Sequence, residues 1–161
     1  CPKPVIGAIH GAAIGGGVGL TAICDIAIAT KETQFSLSEV RLGIVPACIG
    51  PFVISKIGAS HARALFMSAE RFLAPKAKEV GLVHEVVADA AELETALERV
   101  VGNMLQCGPH AMAAAKKLVL DLSWNERRQE IGDCFDYVAR MLAELRVSPE
   151  GQEGFKPNWI R

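Results

Sequence analysis

The run Ala13-Ile14-Gly15-Gly16-Gly17-Val18-Gly19-Leu20 carries the first chemistry legible in this chain. It follows the apolar stretch Val5 to His10 and precedes Cys24-Asp25-Ile26-Ala27-Ile28-Ala29, an order that predicts strand, glycine turn, helix start and strand. Adjacent glycines reach backbone angles closed to other residues, and at a helix start their bare N–H groups sit on the positive end of the dipole. Such a turn stabilises an oxyanion. The same residues would equally serve a plain tight turn that lets helix and strand pack closely, and the cluster alone does not separate the two.

The second candidate is Glu39. In Ser36-Leu37-Ser38-Glu39-Val40-Arg41-Leu42-Gly43-Ile44-Val45-Pro46 it is a single carboxylate in a short polar turn between apolar segments, ahead of the Gly43 and Pro46 punctuation. A carboxylate held against a reacting atom moves protons as a general acid or base. A single glutamate in a loop is more often solvated surface, so Glu39 gains weight only from what stands around it.

The elements that must position these residues alternate early and become helical later. Val5 to His10 and Asp25 to Ala29 are short, Gly-bounded runs suited to buried parallel strands, and Val83 to Val87 is another strand candidate. Ile49 to Ile57 and Ser60 to Ser68 fit helices separated by Gly58. From Ala90 onward Leu93, Leu97, Val100, Val101 and Met104 recur at helical spacing, and Pro109 opens a helix through Leu122. Ser123-Trp124-Asn125-Glu126 reads as a capping box starting a long helix to about Glu144, with an apolar stripe that includes Ile131, Phe135, Val138 and Leu142. No internal repeat or low-complexity linker interrupts the chain.

Composition bounds the class without fixing it. Half of the 161 residues are apolar and the formal net charge is −1, which suits one globular core and argues against a basic nucleic-acid surface. No apolar run approaches the roughly 18 to 20 residues needed to cross a bilayer, and no charged flank and cleavage signal of a secretory peptide is present. Cys1, Cys24, Cys48, Cys107 and Cys134 are odd in number without CxxC spacing, which speaks against a disulfide framework or zinc site and for a reducing, cytoplasmic compartment. His10, His61, His84 and His110 are scattered singly and read as structural or surface residues, so no metal ligand set is expected.

Taken in order, KPVIGAIHGAAIGGG, CDIAIA, the Phe35 and Ser-Glu turn, and LGIVP resemble the crotonase superfamily, the enoyl-CoA hydratases and isomerases, from Pro2 to Trp159. The spaced elements that carry the resemblance are Gly15 to Gly17, Cys24-Asp25, Glu39 with Gly43 and Pro46, AKEVGLVHEVV from Ala77, and Gly108-Pro109-His110-Ala111 before Lys116-Lys117. The resemblance implies an α/β fold with a crotonase (ClpP-like) β-β-α spiral core. Residues 1–88 would form its C-terminal part, and residues 89–161 a helical region that covers the acyl-CoA pocket and builds a trimer interface. It further implies a preceding half-domain with a second oxyanion donor and much of the CoA adenine pocket. The segment Glu150 to Trp159 looks like the family ending with a short Ala-Phe-x-Glu-Lys-Arg stretch absent between its Gly-Phe and Pro-x-Trp parts.

The chemistry implied by the resemblance is formation of a thioester enolate when water adds to, or a proton leaves, an enoyl-CoA. By residue matching, the Gly16 N–H is one oxyanion donor, worth about 3–4 kcal/mol by analogy with other oxyanion holes. Glu39 matches the second of the two glutamates of a typical hydratase, while the first falls on Gly19, where a missing side chain would leave space. Gly15, Gly17, Gly19, Leu37 and Pro46 are the expected substrate-pocket residues. No cofactor is expected beyond the coenzyme A of the substrate, no nucleic-acid or membrane partner, and a homotrimer or a homohexamer made of two trimers.

GGGVGL together with SEVRLGIVPA, ISKIG and SAERF looks most like the hydratases of branched glutaconyl-type thioesters, methylglutaconyl-CoA or isohexenylglutaconyl-CoA. Arg41 is then either a partner for the extra substrate carboxylate or, more simply, a surface or subunit-contact arginine. An isomerase, decarboxylase or thioester hydrolase of the same fold remains open, since one oxyanion hole serves all of them. So does a non-catalytic acyl-CoA-binding paralogue. A nucleic-acid-binding role is disfavoured by the near-zero net charge.

Overall fold

A computed structural model describes residues 1–124, together with 139, 140, 143, 144, 146, 147 and 152; for residues 121–124 it describes the backbone. The stripe residues Ile131, Phe135, Val138 and Leu142, and with them Cys134 and the ending from Phe155, lie outside the described residues.

Among the described residues the strands form two three-stranded sheets. Strands β1 (Ile6–Ile9), β3 (Ile26–Thr30) and β6 (Glu85–Val87) form one sheet in the order β1-β3-β6, all parallel, with Ala8 opposite Ile28 and Ala29 opposite Val86. Strands β2 (Ala12–Ile14), β4 (Gln34–Ser36) and β5 (Arg71–Leu73) form the other, β2 parallel and β5 antiparallel to β4. Gly11, at φ 75°, lets the chain leave one sheet and enter the other between β1 and β2. The apolar stretch from Val5 therefore continues as two short strands, whereas its sequence suggests one.

Helix α1 (Gly16–Ala22) follows β2 directly, and α2 (Gly50–Ser68) packs on it. Inside α2, Gly58 at φ 76° and ψ 158° breaks the helix where the sequence places a break between two helical segments. Val18, Phe35, Leu37, Val53 and Leu82 are buried in a core shared by α1, α2 and both sheets. Phe35 and Phe72 stack across β4 and β5 with ring centroids 5.7 Å apart. The short helix α3 (Ala74–Glu79) starts with Pro75 in its first turn, where a missing N–H costs nothing.

Helix α4 (Ala90–Leu105) is capped by Asp89, whose carboxylate accepts from the Ala91 and Glu92 N–H groups at 2.9 and 3.0 Å. Its Leu93, Ala96 and Val100 pack on Ile28 and Val87, so the first helix of the C-terminal region closes over the parallel sheet. Helix α5 (Pro109–Trp124) is tied back to the start of the chain by Lys116, whose ammonium donates to Asp25 Oδ2 at 2.6 Å and to the Lys3 carbonyl at 3.1 Å. Ser123 is still within α5, so it is not the residue that precedes a new helix, and the rest of the expected helix from Asn125 lies largely outside the described residues. Among the described residues no helix is long and apolar enough to cross a membrane.

Candidate active site

The glycine turn is built by a parallel strand pair. Gly15 donates its N–H to the Ser36 carbonyl at 2.8 Å, extending the β2–β4 ladder by one bond, and then takes φ 53° and ψ −114° so that helix α1 begins at Gly16. The Gly15 carbonyl accepts from Val18 N at 2.9 Å and from Gly19 N at 3.4 Å. The N–H groups of Gly16 and Gly17 belong to the first helical turn and make no hydrogen bond among the described residues. Gly16 is exposed, and a Cβ built on it would meet no atom within 4 Å. An open donor at a helix start is what oxyanion binding requires.

The Glu39 carboxylate lies against this turn. A Cβ placed on Gly15 would stand 3.2 Å from Glu39 Oε1 and 3.7 Å from its Cδ, so any larger residue there would push the carboxylate away from the backbone by a few tenths of an ångström. Glu39 opens a one-turn 3-10 helix, Glu39–Leu42, which Gly43 ends at φ 68°. Its Oε2 is buried without a hydrogen-bond partner among the described residues. Burial raises the Glu39 pKa above the usual glutamate value, and its own backbone N–H opposes that shift. A carboxyl that keeps its proton more readily than a solvated one, near an open N–H donor, has the chemistry that acid/base work beside an oxyanion would need.

The remaining site expectations fare differently. Pro46, soon after the acid turn, is buried and lines an apolar cavity of about 220 Å³ with Val45, Ala47, Gly50, Ile54 and Phe66. Gly17 sits within the first turn of α1, and a Cβ there would touch Ala13 at 3.4 Å. Leu37 is buried in the main core, so it anchors the segment leading into the turn from within and does not line open space. Gly19 also departs from expectation. The space beside it is filled, because a Cβ on Gly19 would fall 2.3 Å from Ile49 Cγ2 and 2.8 Å from Ile49 Cβ. The missing side chain lets α1 approach the start of α2.

Arg41 is an exposed surface residue, as the simpler expectation had it, and its Nη2 donates to the Ala69 carbonyl at 2.9 Å. His84 is structural, its Nδ1 accepting from the Ala27 N–H at 2.9 Å. Cys1, Cys24, Cys48 and Cys107 are free thiols. Among the described residues no group of His, Cys, Asp or Glu is placed to hold a metal ion. Ile49, Ser36 and Ala69 are the site neighbours that the sequence did not single out, and each acts through a contact between distant segments.

A strand, glycine turn and helix start leave N–H groups open, and the half-buried Glu39 carboxyl lies against that turn. The family model for enoyl-CoA hydratase/isomerase matches residues 1–155, and the chain belongs to that family. It is 34% identical over 156 residues to enoyl-CoA hydratase AKT6-1 of Alternaria alternata, covering 96% of this chain and 50% of the relative. It is 35% identical over 163 residues to the peroxisomal Delta(3,5)-Delta(2,4)-dienoyl-CoA isomerase of Arabidopsis thaliana, covering 100% of this chain and 57% of the relative. The crystal structure of an enoyl-CoA hydratase from Mycobacterium avium superposes with a TM-score of 0.85 at 32% identity, covering 99% of this chain and 63% of that one. The fold is therefore the crotonase α/β core with its helical C-terminal region. The chain spans about half the length of the curated relatives it matches.

Proposed function

We propose that the whole protein is an enoyl-CoA hydratase in which Gly16 and Glu39 do the chemistry. The observation that carries this reading is the Glu39 carboxylate seated on Gly15, beside the open Gly16 N–H. Water adds across the α,β double bond: the hydroxyl oxygen bonds to Cβ, a proton goes to Cα, and the electron pair passes through the thioester oxygen as an enolate. The Gly16 N–H stabilises that oxygen, and a second donor is expected elsewhere in the whole protein. Glu39 delivers the proton to Cα and is reprotonated from the water that attacks. No further cofactor enters the reaction.

The substrate class follows from resemblance and cavity chemistry. GGGVGL and SEVRLGIVPA support a branched glutaconyl-type acyl group, and the apolar cavity at Pro46 suits its hydrocarbon part. Arg41 is committed to the Ala69 carbonyl, so the cation facing the acyl carboxylate comes from another part of the protein. Assembly as a trimer or a pair of trimers is part of the proposal; exposed Leu20, Met67, Leu105 and Leu118 are apolar surface that such an assembly would cover.

A second reading has one specific observation in its favour. Glu39 faces the glycine turn while Ile49 fills the place beside Gly19, so a single carboxyl could take a proton from one carbon and return it to another, as an isomerase requires. Product analysis of the full-length protein on a panel of straight, branched and carboxylated enoyl-CoA thioesters separates the two. Hydration adds the mass of one water and removes the conjugated chromophore. Isomerisation leaves the mass unchanged and moves the double bond. Tight thioester binding with neither product would defeat both readings.

A further inference from the structure

We propose that Arg41 is a positioning residue for Glu39, its guanidinium fastening the acid turn to the Ala69 carbonyl and, through Ser36, to the glycine turn. The proposal rests on the reading of Glu39 as the acid/base group. The turn needs an external tie. It is a single 3-10 turn with no side-chain cap at Ser38, closed by short-range backbone bonds that include Arg41 N to Ser38 O at 3.0 Å, Gly43 N to the Glu39 and Val40 carbonyls, and Ile44 N to Glu39 O at 3.3 Å. A backbone turn this short fixes its own course but not the direction of a side chain leaving it.

The Ala69 carbonyl is where separate segments meet. It accepts from Arg41 Nη2 at 2.9 Å and from Ser36 Oγ at 3.3 Å, while the Ser36 carbonyl accepts the Gly15 N–H at 2.8 Å. One chain of contacts thus runs from the acid turn through the end of α2 and strand β4 to the residue before the oxyanion donor. Ala69 itself is the one non-glycine residue with positive φ, 49°, among the described residues. An alanine stays in the left-handed region only where its surroundings over-determine it, and its cap bond to Leu65 O at 3.2 Å with the two side-chain donors supplies that determination.

Charge and position predict opposite signs for Glu39. Removing a cation that stabilised the carboxylate would raise its pKa. Loosening the turn would let water reach the carboxyl and lower it, since burial is the cause of its elevation and no charged side chain of the described residues contributes. The test is an infrared titration of the Glu39 carboxyl in the full-length protein, taken as a difference against Glu39→Gln, for wild type, Arg41→Ala and Arg41→Met. The Met variant keeps the apolar stem, so the test holds even where truncation to Ala impairs folding. Both variants should titrate lower than wild type, and Arg41→Lys, which keeps one donor, should fall between. An unchanged or raised Glu39 pKa overturns the proposal.

Kinetics on the thioester turned over fastest provide the second arm. Arg41→Met should lower kcat by at least about tenfold, as small misplacements of a catalytic group do, with KM within about twofold. The Glu39→Gln/Arg41→Met double variant should be no slower than Glu39→Gln alone. If Glu39→Gln keeps full turnover while Arg41→Met shifts the titration, the functional reading fails and the positioning stands. If Glu39→Gln abolishes turnover and Arg41→Met changes neither titration nor kcat, the positioning fails alone.

Discussion

Replacing Gly19 with alanine drives a methyl group into Ile49. Gly19 is the fourth residue of α1 and is buried, so alanine first gains about 1 kcal/mol of helix propensity over glycine. Against that stands a contact of 2.3 Å to Ile49 Cγ2 and 2.8 Å to Ile49 Cβ. Rotation of the Ile49 side chain relieves the first contact. It cannot relieve the second, because Cβ moves only with the backbone of Ile49, whose Cα is 3.8 Å from the added atom. Overpacking of this kind costs about 1–3 kcal/mol, and a contact next to backbone belongs in the upper part of that range, leaving a net loss of about 1–2 kcal/mol. Urea unfolding of the full-length protein with unchanged m-values gives the number directly. In an Ile49→Ala background the nearest contact is gone, so the cost of Gly19→Ala should shrink by about 1 kcal/mol, a coupling readable from the double-mutant cycle. Equal or greater stability of Gly19→Ala, or the same cost in both backgrounds, would refute the packing argument. Gly19→Glu should be worse still, and should not create a second acid unless Ile49 is also made small.

Four further outcomes follow from the same geometry. Glu39→Gln should stay folded and lose at least about 100-fold in turnover, measured on the best thioester of the panel. Because the folded Glu39 pKa is raised, the native state holds its proton more tightly than the unfolded chain, so Glu39 makes stability fall as pH rises from about 4.5 through the raised value; Glu39→Gln should lack that fall in a pH series of urea midpoints. Gly16→Pro should cost about 100-fold in turnover by deleting the donor. It should also cost some stability, since a residue before proline avoids the ψ of −114° held by Gly15, and activity together with thermal unfolding reads both effects. Asp25→Ala leaves the Val5 N–H, now bonded at 2.7 Å, without its acceptor and should cost about 1–3 kcal/mol, whereas Lys116→Met removes a partly exposed ion pair and one donor to the exposed Lys3 carbonyl and should cost about 1 kcal/mol in the same unfolding assay.

The parts of the site that sequence made legible are those fixed by local chemistry. Gly15 to Gly17 announce the turn, of which Gly15 at φ 53° is the residue that needs glycine, Gly58 announces a break in α2, and Glu39 stands alone as a carboxylate between apolar segments. Strands β4 and β5 were hidden because three residues are too few for alternation to show. Their register is set by Phe35 stacking on Phe72, a contact between distant positions. Helix α3 is six residues long and too short for a periodic pattern. Ile49 against Gly19 and Arg41 on the Ala69 carbonyl are tertiary contacts, and no spacing rule encodes which side chain fills a gap left by glycine. An alanine in the left-handed region is likewise invisible, since nothing in its residue type signals positive φ.

The central claim is that the open donor at Gly16 and the carboxyl of Glu39 form one enolate-making site. Exchange of the α-proton of a saturated acyl-CoA in deuterated water tests it most directly, because it reports enolate formation whether the natural reaction is hydration or isomerisation. The full-length protein should catalyse this exchange, and folded Glu39→Gln should be slower by at least about 100-fold. Exchange at the wild-type rate in the Gln variant, or none in the wild type, would contradict the account.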